Sequence, residues 1–444
     1  MNAPIFDFVS RYAASGSARL HVPGHKGTGP LGCERLDITE IHGADELFAA
    51  SGIIAQSERN AAALFGTAAT FYSCEGSSLA IRAMLHMALA LRPSGGSRPV
   101  ALAARNAHKA FIYAAALCDF DVTWLYPDRD TGSVCACPLS AAALAAQLDA
   151  MPEKPFCVYV TSPDYLGGLQ DIPGLAKACH ERGVPLLVDN AHGAYLKFLR
   201  PSRHPIDLGA DMCCDSAHKT LPVLTGGAYL HLSGTADPRL IDSARDALAL
   251  FGSTSPSWLI LQSLDLCNAA LAGDWPDRLA RAEARVAALR QTLSARGFDI
   301  AGDESMKLTL CGDGLALAEA LRAHGAECEY ADDGHAVLMF SPDNAPSDYA
   351  RIDRALTAPL PAAVSAPSIP PRPPRAMTIR EAVFAPSACL PVRRAVGRVC
   401  AAPTVSCPPA IPIAVSGEVI TPEVATALER NGIRTVRVVE GAPI

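Results

Sequence analysis

The residues with the clearest capacity for chemistry lie between Asp215 and Thr220, in the run Asp-Ser-Ala-His-Lys-Thr. An apolar segment at 211–214 precedes them and is expected to form a buried strand, which would shield Lys219 from bulk water. Burial disfavours the ammonium form and lowers the pKa of a lysine. A neutral lysine amine can form a Schiff base with an aldehyde. A solvated loop lysine is the alternative, and the neighbouring Ser216 and His218 favour the chemical interpretation.

Asp189 ends a second apolar run, Pro-Leu-Leu-Val-Asp. A carboxylate at the end of a buried strand needs a cationic or hydrogen-bonding partner. A protonated pyridine nitrogen would be such a partner, and pyridoxal phosphate enzymes often place an aspartate against it. An aspartate that caps the following turn is the alternative.

Gly76-Ser77-Ser78 opens a helical pattern. The free N–H groups and the dipole of a helix N-terminus favour an anion, and the two hydroxyls add donors. Taken alone, the triplet is an ordinary N-cap. Ser216 could supply a further hydroxyl to the same phosphate, which favours an anion site.

His108 also follows a strand pattern, and an imidazole there could stack on a planar ring or cap a helix. Lys26 and Lys109 are rival lysines for the Schiff base. Lys26 lies in a Pro-Gly loop and Lys109 in the first turn of a helix, so both are expected to be solvated.

These residues need elements that place them together, and the sequence between 99 and 232 alternates apolar runs with helical patterns. This alternation predicts a parallel, doubly wound α/β sheet. Ligands bind such sheets at the carboxyl ends of the strands, where the polar residues above are found. The predicted strands are 99–104, 121–126, 156–161, 185–189, 211–214 and 228–232, and the predicted helices are 53–65, 79–91, 107–117, 140–150 and 172–182.

Five consecutive segments are predicted from changes in composition and pattern. They are an N-terminal segment at 1–50 that contributes to the site, a large cofactor-binding domain at 51–297, a small α/β domain at 298–357, a proline-rich linker at 358–376 and a C-terminal α+β unit at 377–444.

Composition, net charge and cysteine spacing limit the classes of protein to which the chain can belong. The chain has 444 residues, 50% of them hydrophobic and 19% charged, which indicates a globular protein. Its net charge of -7 gives no reason to expect a nucleic-acid partner and is compatible with a small cationic substrate. The 15 cysteines include no C-x-x-C pair, so we expect reduced core thiols and no metal site. Neither a signal peptide nor a membrane-spanning run is apparent, so a cytoplasmic protein is expected.

The order of a phosphate loop, a stacking histidine, a strand-end aspartate and a lysine resembles that of the bacterial Orn/Lys/Arg decarboxylases. These are pyridoxal-phosphate enzymes with the aspartate-aminotransferase fold, also called fold type I. The chain resembles the short members, which lack a receiver-like N-terminal domain. The matching motifs keep their order over nearly the whole chain: 21–27 (HVPGHKG), 37–40 (DITE), 76–78 (GSS), 105–109 (RNAHK), 162–167 (SPDYLG), 188–194 (VDNAHGA), 216–219 (SAHK) and 408–418.

The resemblance implies roles for the matching residues. Lys219 would form the Schiff base, Asp189 would pair with the pyridine nitrogen and His108 would stack on the ring. The catalytic set would be Lys219, His218 and His108, and the cofactor-binding set would be Gly76, Ser77, Ser78, His108, Asp189, His192, Ser216 and Lys219. His192 and His218 would flank the cofactor, and His218 or Lys219 would return a proton to Cα.

The resemblance also implies residues that contact the substrate. Glu418 would meet the cationic tail of the substrate, with a structural acid that caps a turn as the equal alternative. His25, in the loop at 21–27, is a second substrate candidate. Family members assemble as homodimers or larger oligomers with sites at the subunit interface.

Several positions depart from the family pattern. Cys74-Glu75 precede Gly76 where an asparagine is frequent, which puts a negative charge near the expected phosphate unless Glu75 points away. Asn190 stands where a glutamate is frequent. The remaining departures are Ser78 for threonine, Leu166 for tyrosine, Ala410 for glycine and Ser416 for proline.

The predicted function is therefore pyridoxal-phosphate-dependent decarboxylation of arginine, lysine or ornithine to a polyamine-type amine and CO2. An aminotransferase or lyase on the same fold is one alternative. A non-catalytic regulator that binds the cofactor is the other.

Overall fold

The computed structural model describes residues 1–92, 97–129, 131–359, 372–404 and 409–441. It contains two compact units, and each is built from two separate stretches of sequence. The first unit comprises Met1–Arg92 and Pro185–Leu279, and the second comprises Pro93–Val184 and Ala280–Ile444. The five-segment division stays a prediction. Most of the proline-rich linker, at 360–371, and Pro408, the first residue of the 408–418 motif, lie outside the described residues.

Helices and strands alternate through most of the chain. The strands are β1 (Ala69–Ser73), β2 (Val100–Ala104), β3 (Asp121–Leu125), β4 (Cys157–Thr161), β5 (Leu186–Asp189), β6 (Met212–Asp215), β7 (Ala228–Leu232), β8 (Asp299–Ala301), β9 (Lys307–Cys311), β10 (Tyr330–Ala331), β11 (His335–Met339), β12 (Ser387–Pro391) and β13 (Thr435–Val439). The helices are α1 (Pro4–Ala14), α2 (Ile53–Phe65), α3 (Gly76–Ala90), α4 (Lys109–Cys118), α5 (Ala141–Ala150), α6 (Ile172–His180), α7 (Ala217–Thr220), α8 (Arg239–Phe251), α9 (Trp258–Leu271), α10 (Trp275–Ala295), α11 (Gly314–Ala323), α12 (Pro346–Ala355), α13 (Ile379–Phe384) and α14 (Pro422–Arg430).

The largest sheet has seven strands in the order β1-β7-β6-β5-β4-β2-β3. In the first unit, β5 and β6 run parallel, whereas β7 is antiparallel to both β6 and β1. In the second unit, β2 pairs in parallel with β3 and with β4. The α/β fold with a mostly parallel sheet is therefore confirmed.

The second unit holds two smaller sheets. A four-stranded antiparallel sheet in the order β10-β11-β9-β8 packs against α11, and β12 pairs antiparallel with β13 in the C-terminal segment. The sequence patterns indicated β9, β11, α11 and α12. Short edge strands such as β8 and β10 offer too few residues for an apolar period to be read.

The strands that lead to the predicted site are apolar until their last residue. All four residues of β5 and all four of β6 are buried, and each strand ends in an aspartate. Continuous apolar runs of this kind are typical of parallel strands covered on both faces. Because both strands are buried, polar side chains occur only where they end.

Helix α2 runs from Ile53 to Phe65 as predicted, and Gly66 closes it in the left-handed region with φ 63°. Every cysteine that the structure describes is a free thiol, and most are buried. Among the described residues, no helix is both long and apolar enough to cross a membrane.

Candidate active site

The carboxyl ends of β5 and β6 lie side by side in the first unit. Their parallel register places Asp189 opposite Cys214. Asp189 is 2% exposed, and its Oδ1 accepts hydrogen bonds from the backbone N–H of Ala191 (3.2 Å) and from the Cys214 thiol (3.7 Å). A buried carboxylate therefore stands at the edge of the sheet from which the lysine-bearing turn departs.

Lys219 lies in the one-turn helix α7, directly after β6. Ala217 and Thr220 face the core, whereas His218 is half-buried and Lys219 is exposed, because successive helical residues point about 100° apart. The expectation that the core strand shields Lys219 from water is therefore wrong for this chain. The Lys219 Nζ lies 3.0 Å from Nε2 of the buried His192, close enough to donate a hydrogen bond to it.

His218 is held by the loop before β7. Its Nδ1 lies 3.0 Å from the carbonyl oxygen of Gly227, to which an Nδ1–H donates. Burial lowers the pKa of His218, with the nearby Lys219 charge acting in the same direction and the Gly227 hydrogen bond opposing both. A neutral ring that donates from Nδ1 keeps Nε2 as a base, so His218 is suited to take up and return a proton.

The start of α3 meets the turn after β6. The Ser216 hydroxyl donates a 2.8 Å hydrogen bond to the Ser77 hydroxyl. Gly76 donates its N–H to the Gly226 carbonyl at 2.7 Å, and a Cβ at Gly226 would lie 2.9 Å from the Cys74 carbonyl oxygen. The close approach therefore requires glycine at 226. The two hydroxyls and the α3 N-terminus together form a set of donors for an anion.

His108 lies in the second unit, at the carboxyl end of β2. Its Nδ1 accepts a 3.1 Å hydrogen bond from the Ala110 N–H, so His108 is the N-cap of α4. The cap interpretation from the sequence is thus realised. The same hydrogen bond fixes the orientation of the imidazole ring. Stacking of this ring on a cofactor stays a prediction.

Glu418 is buried in the second unit and is 5% exposed. Its Oε2 accepts from the Val415 N–H at 2.8 Å and lies 3.4 Å from Nη2 of Arg105. Burial raises the pKa of Glu418, and the Arg105 charge opposes that rise. Arg105 also donates to the carbonyls of Pro412 and Ile413, so the pair ties the C-terminal loop to the end of β2.

His25 makes its contacts within its own loop. Its Nδ1 accepts from the Gly27 N–H at 3.0 Å, and its Nε2 lies 3.2 Å from Oδ2 of Asp37. The 21–27 and 37–40 motifs are thereby joined, while a contact of His25 with substrate stays a prediction.

Residues 3–311 match the family described as Orn/Lys/Arg decarboxylase, major domain. The chain belongs to this family. The match covers both strand ends described above, the α3 N-terminus and His108.

Curated relatives agree with this membership. The chain is 31% identical over 281 residues to the uncharacterized protein YaaO of Bacillus subtilis, spanning 61% of this chain and only 56% of that protein. It is 27% identical to the arginine decarboxylase of Bacillus subtilis over 96% of this chain and 93% of that enzyme. Lysine decarboxylase A from Pseudomonas aeruginosa shares the fold, with a TM-score of 0.80 at 19% identity over 98% of this chain and 80% of that chain.

The residues of the first unit suit the cofactor that membership in this decarboxylase family implies. A phosphate needs hydrogen-bond donors at a helix N-terminus, and Ser77 and Ser216 provide hydroxyls at the start of α3. A protonated ring nitrogen needs a buried anion, which Asp189 provides. An aldehyde needs an accessible amine, and Lys219 is exposed beside His192.

Two departures from the pattern of this decarboxylase family have a structural explanation. Glu75 is exposed and its Oε1 accepts a 2.6 Å hydrogen bond from the Ser253 N–H, so its charge is engaged away from the Ser77 hydroxyl. Asn190 donates from Nδ2 to Asp215 at 2.6 Å. At a third departure, Ala410 adopts φ 59°, a left-handed conformation that favours the glycine frequent there.

Sequence reasoning missed the partners of Asp215. His204 and His231 are fully buried and both lie next to its carboxylate. A lone histidine inside the apolar strand Ala-Tyr-Leu-His-Leu could have signalled a buried partner, because an imidazole in a core needs one. Nothing in the local pattern marks His204.

We predict that Ser216→Ala weakens pyridoxal phosphate binding by roughly tenfold, because a hydrogen bond to a charged group contributes about 1.5–3 kcal/mol. Titrating the cofactor-free protein with pyridoxal phosphate, followed by visible absorbance, measures the change. Ser347→Ala, at an exposed position of α12, is the matched control. Unchanged affinity in both Ser216→Ala and Ser77→Ala would contradict the phosphate assignment.

Proposed function

We propose that this protein decarboxylates a basic amino acid, with pyridoxal 5'-phosphate as its cofactor, to give the corresponding amine and CO2. The observation that carries the proposal is the contact of Lys219 with His192 beside the Ser77–Ser216 hydroxyls, in a chain of the Orn/Lys/Arg decarboxylase family. Arginine, lysine and ornithine are the candidate substrates. Since relatives named arginine decarboxylase match nearly the whole chain, arginine is the first to test.

The proposed roles follow from the contacts of each residue. Lys219 would hold the cofactor through its amine, and Ser77 and Ser216 would bind its phosphate. Asp189, buried at the end of β5, would pair with the pyridine nitrogen and keep that nitrogen protonated. When bound, pyridoxal phosphate supplies an electron-accepting ring that stabilises the negative charge left on Cα as CO2 departs.

Proton transfer falls to the groups around the amine. Nε2 of His192 lies 3.0 Å from Nζ of Lys219 and, in the tautomer that accepts from this amine, would draw a proton from it, which leaves the amine nucleophilic. His218, kept neutral by burial, or Lys219 itself would return a proton to Cα. His108 would pack against the cofactor ring.

Two other functions were open from the sequence, an aminotransferase or lyase and a non-catalytic regulator. Membership in a decarboxylase family favours neither. An aminotransferase would form a keto acid that keeps the substrate carboxylate, so no CO2 would be released. A regulator would bind the cofactor without turnover.

We predict that the purified protein releases CO2 and the matching amine from at least one of arginine, lysine and ornithine, without keto acid. Lys219→Ala is expected to stop this turnover, because it removes the amine that lies 3.0 Å from Nε2 of His192. Mass spectrometry of the products and trapping of CO2 measure both. Lys177→Ala, an exposed lysine on α6, serves as the control. Turnover by Lys219→Ala, or keto acid from the unchanged protein, would refute the proposal.

The buried contact of Glu418 with Arg105 favours the structural alternative over the substrate role. Glu418→Gln is then expected to lower the free energy of unfolding by roughly 3 kcal/mol, because it leaves the Arg105 charge buried without its anion. KM for the amino acid would stay within about twofold. Urea unfolding and steady-state kinetics test this.

Glu429→Gln is the matched control, because Glu429 pairs with the exposed Arg393. Exposed pairs contribute about 0–1 kcal/mol, so little change is expected there. A KM raised on the order of tenfold in Glu418→Gln, at unchanged stability, would instead place Glu418 at the cationic end of the substrate.

We further propose that the protein is a homodimer or larger homo-oligomer. Lys219 is exposed in the single chain, and water near a reactive amine favours side reactions and weakens electrostatic interactions. A second copy over this edge would exclude that water. Light scattering on the purified protein is expected to give at least twice the mass of one chain, and a fully active monomer would contradict the assembly.

A further inference from the structure

Asp215 ends β6 and directly precedes the turn that carries the lysine. Its side chain is 0% exposed. Oδ1 accepts a 2.6 Å hydrogen bond from Nδ2 of Asn190. Oδ2 lies 3.0 Å from Nε2 of His204 and 3.3 Å from Nε2 of His231, and the second contact is electrostatic, since its geometry falls short of a hydrogen bond. Three groups from three separate places in the first unit thus meet at the Asp215 carboxylate.

A carboxylate in this position is costly without compensation. Burial by itself raises the pKa of Asp215, but the electrostatic attraction of His204 and His231, together with the hydrogen bond of His204, outweighs that effect and holds the pKa well below its ordinary value. The carboxylate is therefore ionised, and its charge depends on the two imidazoles. Removing either one would leave an incompletely compensated charge in the core.

The two imidazoles are themselves fixed. Nδ1 of His231 lies 2.8 Å from the Thr70 hydroxyl on the neighbouring strand β1. Its ring also packs against Phe65, with centroids 4.4 Å apart. The ring of His204 packs edge-on against the same phenylalanine at 5.5 Å. Both rings are held by core packing, so they hold the carboxylate in turn.

The Asn190–Asp215 hydrogen bond joins two chemically important strand ends. Asn190 immediately follows Asp189, the partner expected for the ring nitrogen. Asp215 stands four residues before Lys219, and its neighbour Ser216 contacts Ser77. A shift of Asp215 would therefore move the lysine-bearing turn relative to Asp189.

We propose that Asp215 is a positioning residue, which fixes the turn carrying Lys219 against the end of β5 carrying Asp189, with the imidazoles of His204 and His231 as its buried partners. The inference rests on the proposed decarboxylase function and deepens it. Asp215 touches none of the reacting groups and acts through Asn190 and the α7 turn.

The same three side chains could in principle ligate a metal ion. The three nearest ligand atoms of His204, Asp215 and His231 all lie within 4.8 Å of one another. Both carboxylate oxygens already have partners, however, and the Oδ1 partner is an amide N–H that cannot ligate a metal. The arrangement as it stands is a satisfied hydrogen-bonded anion, which favours the positioning role.

The test uses the full-length protein loaded with pyridoxal phosphate. Asp215→Asn is expected to lower kcat on the order of 10- to 100-fold, since a misplacement of about 1 Å can cost on the order of 100-fold. KM should stay within about twofold. The visible absorption of the bound cofactor should also shift, because its environment is set by Lys219 and Asp189.

The matched control is Asp211→Asn. Asp211 is a buried aspartate just before the other end of the same strand, where its Oδ2 accepts from the Leu186 N–H at 2.7 Å. Asp211→Asn is expected to lower the free energy of unfolding without a change in kcat or in the absorption spectrum of the bound cofactor. A purely structural role for Asp215 would give the same result as this control.

Asn190→Ala is a second variant, which keeps Asp215 and both imidazoles and removes only the hydrogen bond between the strand ends. It should reduce kcat, as Asp215→Asn does. If Asp215→Asn fails to fold, Asn190→Ala alone tests the positioning role. Unchanged kcat and spectrum in the folded variants would overturn the proposal, provided that Lys219→Ala is inactive. Stoichiometric metal in the unmodified protein, measured by plasma mass spectrometry, would overturn it as well. An active Lys219→Ala would instead refute the decarboxylase proposal.

Discussion

The parallel pairing of β5 with β6 is the constraint on which the site in the first unit depends. Its register sets Asp189 opposite Cys214, so the chain leaves both strands at the same edge. Because both strands are buried along their whole length, polar side chains are tolerated only there. The positions of the turn that carries Lys219, of the Asp189 carboxylate and of the Ser216 hydroxyl all follow from this one placement.

Three buried carboxylates in the part of the chain that the structure describes have a basic side chain as their partner. Asp215 has two imidazoles, Glu418 has Arg105, and Glu304 lies 2.9 Å from Lys307 with both side chains 1% exposed. An isolated buried charge costs several kcal/mol, which explains why each has a partner. The consequence for function is that an acid or base which looks available in the sequence can already be committed to the fold.

Glu418 and Glu75 illustrate this consequence in opposite ways. A sequence motif proposed Glu418 as a substrate contact, yet its carboxylate meets a buried arginine from the end of β2. Glu75 looked harmful to a phosphate, yet its side chain accepts a backbone hydrogen bond from Ser253. Both outcomes depend on residues far away in the sequence, which no local pattern reveals.

The sequence by itself determined the α/β class, most of the long helices and strands, and the identity of Lys219, Asp189, Ser77 and Ser216 as candidate site residues. Apolar periodicity and ordered motifs carry that information because they are local. Only the tertiary structure decided that Lys219 is exposed on α7, that His192 lies against its amine, and that His204 and His231 enclose Asp215. Those facts depend on which side of a turn faces the core and on which distant chain segments supply a buried charge with its partner. Neither property is written in the spacing of neighbouring residues.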